Sequence, residues 1–238
     1  MRIWILICGA SLALTALGAG SGHGAPKPEF VPTSAYATRT VEGWSVRVNR
    51  SLLGERKELG DRALSLLTTK LQEIRRVVPA GACVELRKVP IWLGVDDGHA
   101  PCAEYHPSAE WLRENGYNPD KARAVEIGNA ERFIAWSVAQ PAMVLHELAH
   151  AYHHQVLGYE HAGIREAFRE AVAGKRYESV LHVNGEKQRA YALSNPQEYF
   201  AEVSEAYFGK NDFYPFVREE LAEHDPDAGR LLKQVWGD

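Results

Sequence analysis

Cysteine is scarce in this chain: there are three in 238 residues, and the first, Cys8, falls within an apolar N-terminal run. Cys8 comes too early, and lacks the preceding Leu-small-small context, for a lipid attachment site. The spacing of Cys83 and Cys102 matches no thiolate zinc pattern, which argues against a cysteine-ligated metal module. Positive charge is not in excess either: 27 Lys and Arg stand against 31 Asp and Glu, a net charge of −4. That balance argues against general binding to nucleic acid or to an anionic membrane surface. Internal repeats and low-complexity tracts are lacking, so a repeat architecture is not expected.

Long apolar runs are limited to one. After Met1-Arg2 the chain is apolar from Ile3 to about Ala19, then small and proline-containing through Gly20-Ser21-Gly22-His23-Gly24 and Pro26-Lys27-Pro28. This pattern predicts a secretory signal peptide over about residues 1–25, cleaved between Ala16 and Ala25. The run is short for a membrane span, and an uncleaved anchor is the alternative. After cleavage no stable membrane insertion is expected, and the protein is placed in a secreted or periplasmic compartment. There, Cys83 and Cys102 are expected to form one disulfide, contributing ~3 kcal/mol by restricting the unfolded chain. Residues 26–38 read as a linker, and 39–238 as a single domain with one core.

Within that domain, Thr40–Val48 alternates apolar and polar residues, as a strand or hairpin does. From Glu58 to Val78 apolar residues recur at helical spacing, and Pro79-Ala80-Gly81 ends the helix. Val84–Leu93 is predicted to be a strand, with Pro90 marking an edge or bulge. Residues 94–107 read as a loop that carries His99, Cys102 and His106, and neither histidine is assigned a role there. Ser108 is a candidate cap for a short helix, and Ala124–Ile127 a short strand. Beyond Gly158, Ile164–Tyr177 reads as a helix and Ser179–Leu193 as a strand pair turning at Asn184-Gly185. A helix opened by Asn195-Pro196 runs through Phe208, and one or two more close the chain. Strands and helices first, mostly helices afterwards, is an α+β arrangement.

The chemistry centres on His146-Glu147-Leu148-Ala149-His150. Residues four apart on a helix share a face, so both imidazoles can reach one metal ion, with Glu147 beside it. Val144, Leu145, Leu148 and Tyr152 fall on the other side and predict a face packed on the core. Two histidines leave tetrahedral zinc short of a protein ligand. His153 and His154 cannot supply it together with the motif pair, because three ligands along one helix spread over ~10 Å. Glu198, Glu202 and Glu205 share one face of the later helix and form the best region for the third donor.

His146-Glu147-x-x-His150 followed by Glu198 on a second helix resembles the gluzincin group of zinc metallopeptidases. The segment Tyr191-Ala192-Leu193-Ser194-Asn195-Pro196-Gln197-Glu198-Tyr199-Phe200-Ala201-Glu202 is similar, more narrowly, to anthrax lethal-factor-type catalytic domains. The resemblance covers residues 141–209 and implies a zincin-like fold, with one Zn2+ held by His146, His150 and Glu198. It further implies that Tyr191 steadies the oxyanion and that Glu202 orients a histidine ligand. Glu147 is then the general base of an exported metallopeptidase acting on a peptide or protein substrate. Two other readings share these residues: a zinc hydrolase of a non-peptide amide, such as a cell-wall component, and a non-catalytic binding module. Retention of Glu147 speaks against the last.

Overall fold

Residues Tyr36–Val41 (β1) and Trp44–Asn49 (β2) pair antiparallel around Glu42-Gly43, both at positive φ (52° and 93°). That two-residue turn matches the right-handed twist of its strands. The computed structural model describes residues 30–238 apart from 97, 100 and 101, so the signal peptide predicted over 1–25 lies outside it. The predicted linker is shorter than expected, since β1 already begins at Tyr36.

A long helix, Lys57–Val77 (α1), leaves β2 and packs on the short 3-10 turn Arg50–Leu53. The approach is so close that a Cβ on Gly60 would lie 1.9 Å from the Leu52 carbonyl oxygen, so no other residue fits. The strand predicted over Val84–Leu93 is a correction. Residues Ala80–Leu86 form a helix (α2), and only Ile91–Leu93 is a strand (β3). Ala82, Cys83 and Leu86 turn inward at helical spacing while Val84 is left 54% exposed, so a helix buries more of this segment than alternation could.

The segment read as a loop yields a further strand, Ala103–His106 (β4), before the helix Ala109–Glu114 (α3) capped by Ser108 Oγ. Ala124–Ile127 (β5) then completes a mixed five-stranded sheet of order β1-β2-β3-β5-β4. β2, β3 and β5 run parallel, and β4 lies antiparallel to β5 at the edge. On one face, Tyr36 and Trp92 pack edge to face at 4.9 Å, beside a buried ion group. Lys121 Nζ bonds Glu126 Oε1, and His106 Nε2 lies 2.7 Å from Glu126 Oε2. The main core includes Trp44, Val46 and Val48 from the sheet with Ala63, Leu67 and Leu71 from α1.

The helix Ala130–Trp136 (α4) precedes Met143–Tyr152 (α5), which lies against β4, β5, α1 and α2. The remainder is mostly helical: Ala162–Ala173 (α6), the small ladder Val180–Leu181 (β6) with Lys187–Gln188 (β7), and Pro196–Phe208 (α7). Arg218–His224 (α8) and Pro226–Trp236 (α9) close the chain. α7 starts where its residues demand: Asn195 Oδ1 accepts from Glu198 N at 2.8 Å and Pro196 occupies the first turn. Trp236 of α9 stacks on Tyr152 at 4.2 Å and on Phe200 at 5.7 Å, pinning α5 beside α7. The whole is α+β, and no described helix is long and apolar enough to cross a membrane.

The expected disulfide is also corrected, because Cys83 and Cys102 are not bonded to each other. Cys83 is buried with the α2 side of the core, whereas Cys102 Sγ lies 3.2 Å from Met143 Sδ at the start of α5.

Candidate metal centre

α5 and α7 pack side by side, and that contact assembles the site. His146 and His150, one turn apart on α5, bring their Nε2 atoms within 3.0 Å of each other. Glu198, in the first turn of α7, places Oε2 3.2 Å from each of them. Three donors about 2.0 Å from a central ion at tetrahedral angles would stand about 3.3 Å apart. The observed edges match that figure, and two imidazoles with one carboxylate are a zinc-type donor set. All three side chains are largely withdrawn from solvent: 7% exposed for His146, 12% for His150 and 8% for Glu198.

Charge supports the same grouping. Burial alone would push the Glu198 carboxyl up, but the His150 and His146 rings outweigh it and hold the group ionised, below the usual carboxylate range. Burial disfavours a charged His146, yet its bonds to Glu198 and Glu205 raise it well above the ordinary imidazole value. Glu198 and His146 thus stabilise each other's charged forms.

Glu147 is not among these donors. Its Oε2 accepts from the backbone N–H of Tyr105 on β4 at 2.7 Å, which aims the carboxylate beside the histidines. Burial raises its pKa against the opposing pull of His146 and His150, a direction suited to a group that takes and returns a proton. No pattern in the residues pointed to Tyr105, because the bond comes from its backbone and needs the edge strand in place.

Tyr191 sits in a 3-10 turn, Tyr191–Leu193, rather than at a strand end. Burial and the neighbouring Glu198 and Glu147 raise its phenol. Tyr191 is thus beside the donor set, and it stays protonated as a hydrogen-bond donor.

The contact expected of Glu202 is made by another residue. Glu205 Oε1 lies 2.6 Å from His146 Nδ1, while Glu202 Oε2 instead accepts from Asn211 Nδ2 at 3.2 Å. Seven residues from Glu198 is two turns, so Glu205 returns to the same face farther along, where α5 places His146. Burial pushes Glu205 up to about 7, and burial with Asp212 and Glu205 nearby raises Glu202 well above the carboxylate range. A cavity of about 30 Å³, room for a water or two, adjoins these groups between Cys102, Trp136 and Met143. His153 stays away from the donors, wholly buried against Phe200 and Tyr159. His99 and His106 belong to the far side of the sheet, around Tyr117.

No protein-family model matches the chain, and no curated protein does. Among solved structures, the chain is similar to the PRO-PRO endopeptidase (PPEP-2) from Paenibacillus alvei. The two are 18% identical, with a TM-score of 0.46, over 83% of this chain and 99% of that one.

Proposed function

We propose that this protein is a zinc-dependent peptidase whose ligands are His146, His150 and Glu198. The convergence of three donor atoms at 3.0–3.2 Å from one another, with a carboxylate outside the set beside them, carries the reading. Held by these three residues, zinc would supply Lewis acidity for the activation of water.

The protein's own groups do the rest. Glu147, held by the Tyr105 N–H, takes a proton from the attacking water and returns it to the departing amine. The Tyr191 phenol donates a hydrogen bond to the oxygen on which negative charge develops. Glu205 accepts the Nδ1 proton of His146 and so leaves Nε2 as the lone pair facing the donor set. The apolar N-terminal run supports an activity exercised outside the cytoplasm, with the chain from β1 at Tyr36 to the last helix acting as one catalytic domain.

Zinc content and cleavage of a quenched-fluorescent, mixed-sequence peptide library by the purified protein test the reading. Wild type is expected to bind one zinc and cleave. Glu147→Gln should keep the zinc and lose about 10²–10⁴ in rate, whereas Glu198→Ala should weaken zinc binding. Correctly folded wild type that takes up no zinc would overturn it.

A further inference from the structure

The helix that carries His146 and His150 does not stop at Tyr152. It continues as a π-helical turn over His153–Leu157 and ends at Gly158 with φ 81°, a conformation that suits glycine. A π-turn holds an extra residue, so it rotates the next side chains around the axis, and such turns recur at functional sites. Tyr159 is the first side chain after this one. Its ring stacks on His154, with centroids 4.8 Å and planes 22° apart, and meets His153 edge-on at 5.1 Å. His154 lies four residues beyond His150, just past the turn that bears the donors, and the Glu198 and Glu147 carboxyls are near enough to act on the Tyr159 phenol.

The stack is held from the sheet side as well. His154 Nδ1 lies 2.8 Å from the Tyr105 hydroxyl, which also accepts from Gln155 Nε2 at 3.0 Å. Tyr105 is the β4 residue whose N–H holds Glu147, so one chain of contacts joins Tyr159 to the proposed base. The Tyr159 phenol is raised by burial and by the nearby Tyr105, Glu198 and Glu147, which keeps it protonated. Among the described residues no hydrogen bond takes up its hydroxyl. A rigid ring with an uncommitted donor at the edge of a metal centre is suited to a polar group of a ligand.

We propose that Tyr159 is a substrate-positioning residue whose hydroxyl donates a hydrogen bond to a backbone carbonyl of the bound peptide. This rests on the peptidase reading and separates two tyrosines by role: Tyr159 holds the ground state, whereas Tyr191 serves the transition state.

The test uses a peptide that wild type cleaves, taken from the fluorescent library. It is titrated calorimetrically into the zinc-loaded Glu147→Gln protein, with and without Tyr159→Phe. Phenylalanine keeps the ring stack and removes only the hydroxyl, so a purely structural tyrosine would show no effect. Tyr159→Phe is expected to weaken peptide binding about three- to tenfold. In the otherwise wild-type enzyme it should raise KM by the same factor, with kcat and zinc content unchanged, whereas Tyr191→Phe should lower kcat. Peptide affinity and KM within twofold of their parents in Tyr159→Phe would overturn this proposal alone. Zinc-loaded wild type that cleaves no peptide in the library would overturn the peptidase reading and this proposal with it.

Discussion

At the scale of single residues, the orientation of His146 is settled by Glu205. With Oε1 2.6 Å from Nδ1, the carboxylate is placed to keep the proton on that nitrogen when the ring is neutral. Carboxylates in that position raise the basicity of a ligand imidazole, and losing one costs about 10- to 100-fold in metal affinity. Glu205→Ala is therefore expected to weaken zinc binding by a factor in that range, measured by competition with a chelator. Glu202→Gln should change it by no more than about threefold, because that carboxyl is bonded to Asn211 and not to the ring. Equal losses in the two variants would return the orienting role to the pair. Glu205 was visible as a face-mate of Glu198, but the choice between it and Glu202 depends on where α5 docks along α7. That docking is a tertiary fact.

At the scale of elements, the motif helix combines a side that carries the donor cluster with a π-helical continuation in which only His153 is buried. His153 is fully inside, its two ring nitrogens without hydrogen-bond partners. Burial drives its pKa from 6.5 down to about 3. In the unfolded chain this ring takes a proton near pH 6.5, and in the folded protein it does so only near 3. Between those values the unfolded state holds the extra proton, so stability is fully present above about 6.5 and declines as pH falls toward 3. His153→Phe should flatten that decline by up to a few kcal/mol, read as the difference in urea stability between pH 7 and pH 4. An unchanged acid limb would mean that His153 is not held neutral. Helical periodicity located α5 and α7 well, since Pro141 and Asn195-Pro196 mark their starts within a residue or two. It failed on β4 and α2, which are short enough that packing against the rest of the core decides their form.

At the scale of the molecule, the two halves of the site come from distant segments, and their alignment depends on the C-terminal helices. Asp225, fully buried, accepts from the Tyr199 hydroxyl of α7 at 2.8 Å and the Tyr177 hydroxyl at 3.1 Å. It also pairs with Arg176 at 2.8 Å and caps α9 through Ala228 N. Removing one partner of such a buried group leaves the others unsatisfied, so Asp225→Ala should cost about 3–5 kcal/mol, measured by urea denaturation. A loss below about 1 kcal/mol would show that α7 and α9 are held together by Trp236 and apolar packing instead.

Local features could be read from the residues because local geometry needs no partner. Two histidines four apart share a helix face, Asn195-Pro196 starts a helix, and an alternating run with Glu42-Gly43 turns back as a hairpin. Glu198 was one of three acids on a shared helix face, and only the resemblance of its segment to a known family singled it out. Other features rest on non-local contacts, which no window of sequence contains. The edge position of β4 presents the Tyr105 N–H to Glu147, and the register of α5 on α7 selects Glu205. Separate burial of Cys83 and Cys102 leaves them unbonded, and a π-helical turn brings Tyr159 onto the His154 ring. Each depends on which surfaces meet when the core closes.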